Sequence, residues 1–369
     1  MDLDCFCFDI SKICSFLLAI PGYGSIDIND HECVAMLLLN RALGKFEFED
    51  VRKLAAELCG RIHPQVLLPI LSSHLELAAD SQDIVKIKAC LFSVCTSLVA
   101  RGRDSLSQPA MLKIQKTIKT ILLWPSLDGD EVSKAQHGCI DCLALMICTE
   151  LQAPKSFIGS VSDKISIIGK NFHPGWYPDF IGDSALGDSV VTYVIHQLSL
   201  DAVEAASTSM LCSDNCASEP SVPLSFRLCM ANVLISACQK ISDSGKKAFA
   251  RRILPYLIHL VQVIKDSEVR VACVQVLFSA VYHLKSMILP YSSELLKLSL
   301  KSLEGNSEKE RMAGVKLMAS LMASEDAIVE NISEGLLEAR LVLLSMYMAD
   351  PSLEVQQMCQ KLLACLTHS

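Results

Sequence analysis

Apolar residues recur along nearly the whole chain at three- and four-residue intervals, the period of helices that each lay one face on a core. Met111, Ile114, Ile118, Ile121 and Leu122 fall on one such face, whereas Lys113, Lys116 and Lys119 share another. Sustained two-residue alternation and Asn-Gly turns, the marks of strands and hairpins, do not occur. The punctuation is as regular as the pattern. Pro21-Gly22, His63-Pro64, Trp124-Pro125, Ala153-Pro154 and Asp350-Pro351 interrupt it, because proline lacks the donor that a helix interior needs. Together these signals predict an all-α chain of roughly sixteen helices, over 6–20, 31–43, 47–61, 64–79, 82–101, 108–123, 130–151, 155–169, 185–200, 223–241, 245–265, 267–285, 289–304, 307–324, 326–348 and 352–366.

The later helices repeat in pairs. Leu254-Pro255-Tyr256 opens a motif that Leu289-Pro290-Tyr291 opens again, and each leads through a short polar turn into a second helix. Aligning Arg227, Arg270, Arg311 and Gln356 within those second helices gives intervals of 43, 41 and 45 residues. Asp50-Val51-Arg52, Val85-Lys86 and Glu131-Val132-Ser133 read as more degraded copies. Two-helix units of about 40–47 residues are the spacing of HEAT and armadillo repeats. Leu254-Pro255 in a first helix, followed by Asp266-Ser267-Glu268-Val269-Arg270 at the start of a second, resembles the HEAT pattern. The resemblance covers 223–366 and, more loosely, 47–151. It implies a right-handed α-solenoid of HEAT/armadillo-like helix pairs. It also implies a structural ladder between repeats that includes Asp266, Arg270 and Arg311. The expected organisation is N-terminal repeats over 1–170, an irregular segment over 171–222 and C-terminal repeats over 223–369, joined in one continuous solenoid.

Composition fits such a stack. Hydrophobic residues make up 51% of the 369, but aromatics only 6%, so the core is aliphatic, with Met and Cys filling in. One helix pair cannot bury both faces of so apolar a sequence, whereas stacked pairs can. The 17 cysteines are an odd number and sit largely inside helical patterns, as in Cys90 to Cys95. They read as reduced core residues, which points to a reducing compartment, cytoplasmic or nuclear. Asp2 and Asp4 stand where a signal peptide carries positive charge. No uncharged apolar window of about 18–20 residues calls for a membrane span. A net charge of −8 weighs against nucleic acid, whose affinity comes from Lys and Arg displacing counterions.

Chemical motifs are scarce. There is no Gly-rich phosphate loop, nucleophile elbow or His-Glu-x-x-His, so no catalytic, cofactor-binding or metal residue and no small-molecule substrate is expected. Cys139 and Cys142 share a helix face, but His137 points roughly 200° away from Cys139 and no second ligand pair stands nearby. Core packing is the preferred reading over zinc. Cys212 and Cys216 fall in a polar stretch, either as plain loop residues or as reactive ones.

Phe172, Trp176, Tyr177 and Phe180 concentrate rings in a chain poor in them. They read either as a plug at an irregular joint or as partner anchors. Two basic groups, Lys113/Lys116/Lys119 and Lys246/Lys247/Arg251 (with Arg252 beside them), read either as solvated faces or as contacts for an acidic peptide or phosphate backbone. The sequence therefore predicts a non-enzymatic scaffold or adaptor that binds a peptide or helical protein partner, the partner's identity being open. A structural subunit of a larger complex (in transport, kinase regulation or chromosome biology) is the alternative, and a nucleic-acid carrier ranks third.

Overall fold

The computed structural model describes residues 31–125, 130–152, 189–207 and 222–368. Among these every regular element is helical, with no strand. The helices of eleven residues or more are α1 (His31–Leu43), α2 (Glu49–Cys59), α3 (Pro64–Asp80), α4 (Ile84–Arg101), α5 (Pro109–Leu122), α6 (Glu131–Leu151), α7 (Val190–Ser207), α8 (Leu224–Lys240), α9 (Asp243–Val263), α10 (Ser267–Leu284), α11 (Ser292–Leu303), α12 (Glu308–Met322), α13 (Asp326–Ala349) and α14 (Leu353–His368). A single turn, Arg103–Leu106, and a 3-10 segment, Lys285–Tyr291, complete them. These fourteen helices match fourteen of the sixteen predicted ones. The other two, 6–20 and 155–169, lie outside the described residues, so the count among the described residues is fourteen.

Short polar side chains set several of the starts. Asp83 accepts from the Lys86 amide at 3.3 Å, Asp266 from Glu268 and Val269 at 2.9 and 3.2 Å, and Ser307 from Glu310 at 3.1 Å. Each satisfies amides that have no partner within the helix. The helix faces follow the apolar pattern: Met111, Ile114, Ile118, Ile121 and Leu122 of α5 are all buried. In α10 eleven of the eighteen positions are buried, from Val269 to Leu284, on more than one face. A helix apolar on most sides belongs in the middle of a structure.

The chain divides into two compact units, residues 1–142 and 143–369, the division falling within α6. In the first, α2 and α3 each pack on the helix two places further on, α4 and α5 respectively. In the second, α8, α10, α12 and α14 contact one another in succession, and α7, α9, α11 and α13 do the same. Side-chain hydrogen bonds between non-adjacent helices recur at nearly constant separations. Thr96 to the Ala56 carbonyl and Arg101 to that of Arg61 both span 40 residues, and Asn331 to Ser292 spans 39.

The stretch Ser267–Leu303 contains an 18-residue window of mean hydropathy 1.5, apolar enough to cross a membrane by length and composition, and 61% of that window is buried inside the chain. A core helix meets the same criterion, and α10 is one.

Close approach between α2 and α4 depends on Gly60, which follows α2. A Cβ there would lie 2.6 Å from the Thr96 carbonyl carbon and 2.7 Å from its Cβ. The φ of −61° is open to any residue, so the restriction is steric. Gly60→Val is expected to destabilise the first unit by about 1–3 kcal/mol, the usual cost of overpacking. An unchanged urea midpoint would show that the two helices separate freely.

Candidate functional site

Arg227, Arg270 and Arg311 occupy matching places near the starts of α8, α10 and α12. Arg270 donates from Nη1 to the Ile264 carbonyl at 2.8 Å, six residues back, and grips Glu310 with Nε at 2.5 Å and Nη2 at 3.1 Å, forty residues ahead. Arg311 repeats the arrangement. Its Nη1 reaches the Gly305 and Asn306 carbonyls at 3.2 Å each, and its Nε and Nη2 hold the Asp350 carboxylate at 2.6 and 3.1 Å. Arg227 donates from Nη2 to the Leu198 carbonyl at 3.0 Å. Gln356, in α14, has no charge but still donates to the carbonyl six residues back, Asp350, at 2.6 Å. Asp266 plays a different part from the one the resemblance implies. Its carboxylate is held at the start of its own helix by two amides, and Glu310 supplies the acid that Arg270 bridges to.

With their guanidinium groups engaged, the arginines are anchors, not contact residues, and they fix what surrounds them. A groove of about 410 Å³ crosses α8, α10 and α12 beside them. Its lining follows the same register. One residue after each arginine stands an apolar side chain: Leu228, Val271 and Met312. Five residues after stands an exposed polar one: Asn232, Gln275 and Lys316. Phe278, 39% exposed, adds a ring to the middle helix. At the rim, Lys309 pairs with Glu268 at 3.0 Å, whereas Lys316 forms no ion pair with any described residue. The surface is an apolar floor flanked by amides capable of both donating and accepting, with one positive charge, Lys316, that no described residue pairs. The periodicity of the sequence points to the second helices but does not single these residues out; their signal is the fixed offset from the arginines.

The sequence-predicted residues are placed elsewhere. Lys113 and Lys116 are exposed and Lys119 half-buried on α5, and none forms an ion pair among the described residues. On α9, Lys246 is paired with Asp243 at 2.7 Å and Arg252 with Glu150 at 2.9 Å, which leaves Lys247 and Arg251 as the exposed pair. None of these bases enters the groove. Phe172, Trp176, Tyr177 and Phe180, like Cys212 and Cys216, lie outside the described residues.

Cys139 and Cys142 are fully buried, while His137 is turned to the Ser133 carbonyl at 2.7 Å. A contact with Cys95, together with burial, holds the Cys142 thiol well above the ordinary range. Burial pushes Cys59, Cys90 and Cys273 up to about 12. Thiols this hard to ionise are packing groups and poor nucleophiles. Among the described residues, no three His, Cys, Asp or Glu side chains converge to hold a metal ion.

No protein-family model matches the chain, and no curated protein matches it either.

Proposed function

We propose that the protein is a non-enzymatic interaction scaffold, a right-handed solenoid of HEAT/armadillo-like pairs that holds an extended peptide of a partner protein in the groove across α8, α10 and α12. The observation that carries this reading is the register of the groove: the same two offsets from Arg227, Arg270 and Arg311 supply its floor and its polar edge. The repeated helix contacts and the bonds spanning 39 and 40 residues support the solenoid, since stacked units of one length place equivalent residues next to each other.

An extended segment has unpaired backbone donors and acceptors on both edges, and the Asn232 and Gln275 amides can meet either kind. Leu228, Val271, Met312 and Phe278 would cover apolar side chains of the peptide, and Lys316 would face a carboxylate. The buried, hard-to-ionise thiols fit a reducing cytoplasmic or nuclear setting.

The test is selection from a displayed random peptide library, with affinities then measured by fluorescence anisotropy. Peptides combining apolar residues with an acid are expected to emerge. The triple variant Gln275→Ala, Phe278→Ala, Lys316→Glu should bind them at least about tenfold more weakly, roughly 1.4 kcal/mol, with its helicity intact because all three side chains are exposed. Selection of nothing by the wild type, or equal binding by the variant, would remove the groove from consideration.

A further inference from the structure

The longest described helix, α13, carries two apolar stripes. Ile328, Ile332, Leu336, Ala339 and Leu343 are buried against the rest of the second unit. Leu337, Leu341, Leu344 and Met348 are 73, 71, 48 and 72% exposed. At about 100° per residue the second stripe lies roughly 150° from the first, so it faces away from the core. Single exposed leucines need no explanation, but four on one face do. Their spacing of four, three and four residues is that of a heptad seam, the pattern one helix offers to another. Continued towards the start of α13, the same face turns acidic. Asp326, Glu330 and Glu334 are exposed, with Glu338 beside them, and none of the four forms an ion pair with a described residue. Arg340 is the one exposed base nearby on the helix.

We propose that this face of α13 docks a basic amphipathic helix of a partner protein, a second site separate from the groove. The seam sets the form of the partner, and the charge sets its composition. A helix lying antiparallel or parallel to α13 would place leucine-like residues against Leu337, Leu341, Leu344 and Met348, and lysines or arginines against Asp326, Glu330 and Glu334. A second copy of this chain fits poorly. Parallel pairing would set the acidic halves of two α13 helices side by side. Antiparallel pairing would carry each acidic half past Met348 and the end of α13, where the next exposed charged residue along the chain, Glu354, is again an acid.

The probe is a synthetic 21-residue helical peptide with leucines in heptad spacing and lysines flanking one end, labelled for anisotropy and titrated against the full chain. A control peptide carries glutamate at the lysine positions. The basic peptide is expected to bind in a salt-dependent manner, and the acidic one at least about tenfold more weakly. Leu341→Gln with Leu344→Gln should weaken binding by at least about tenfold. Glu330→Gln with Glu334→Gln should weaken it and flatten the salt dependence. The groove variant Gln275→Ala, Phe278→Ala should bind the basic peptide like the wild type, so failure of the groove reading and failure of this one are separable. Because the altered residues are exposed, melting temperatures serve as the folding control. Three results would each overturn the proposal. One is no binding of the basic peptide tighter than about 1 mM. Another is equal binding of basic and acidic peptides. The third is a wild-type dimer in sedimentation that the Leu341→Gln/Leu344→Gln variant turns into a monomer, which would make the occupant a second copy.

Discussion

Replacing Arg311 by alanine should destabilise the second unit by about 3–5 kcal/mol, the cost of breaking a buried ion pair from one side. The Asp350 side chain is 1% exposed and that of Arg311 11%, so water does little to replace the lost partner. The same change also deprives the Gly305 and Asn306 carbonyls of a donor. Asp350 has a second duty, accepting from the Ser352 amide at 2.8 Å as α14 begins. The damage should therefore appear first as faster hydrogen exchange across α14 and only then as a lower urea midpoint. Arg270→Ala offers the internal comparison. Its ion pair with Glu310 has the arginine side chain 25% exposed, so solvent can take up part of the freed charge, and a smaller loss is expected. Equal losses for the two variants would mean that burial of the pair is not what sets the cost.

The arginines also mark the boundary of what the sequence makes legible. Helix positions are legible because every helix buries one face, and that requirement writes a three-to-four-residue period into the chain. Arg227, Arg270 and Arg311 are legible because they recur at 43 and 41 residues inside that period. Their acidic partners are not. Asp266 stands four residues before Arg270, the spacing of a favourable helix pair, yet an aspartate just ahead of a helix has two unsatisfied amides closer to hand, and they hold it. Glu310 and Asp350 are forty and thirty-nine residues beyond the bases they meet, a distance at which one sequence offers many acids. The groove is hidden for another reason. Asn232, Gln275 and Lys316 differ in type, and what they share is only an offset from the arginine.

Glu150 shows the same limit most sharply, and its loss should rival that of Arg311. It lies at the end of α6 in the otherwise uncharged run from Leu143 to Leu151, where an isolated acid is a signal of some internal duty, though not of which. Its Oε1 accepts from Ser189 Oγ at 2.7 Å and Arg252 Nη2 at 2.9 Å, and its Oε2 from the Val190 and Val191 amides at 2.9 and 3.3 Å. One carboxylate thus caps the start of α7 and fixes α9 through Arg252, with both side chains mostly buried, at 17 and 14% exposure. Glu150→Ala removes a cap worth about 1 kcal/mol and leaves a guanidinium without its charge partner, so a total of about 3–5 kcal/mol is expected. Glu150→Gln keeps one oxygen for the α7 amides and should lose less. Hydrogen exchange separates the two parts: protection across α7 should fall in Glu150→Ala and largely persist in Glu150→Gln. If the carboxylate acts mainly through Arg252, then Arg252→Met should be far milder in the Glu150→Ala background than alone, because the stranded charge is then gone. Additive effects of the two changes would show instead that the cap and the ion pair act independently, and that α7 is held by Ser189 and its own apolar face.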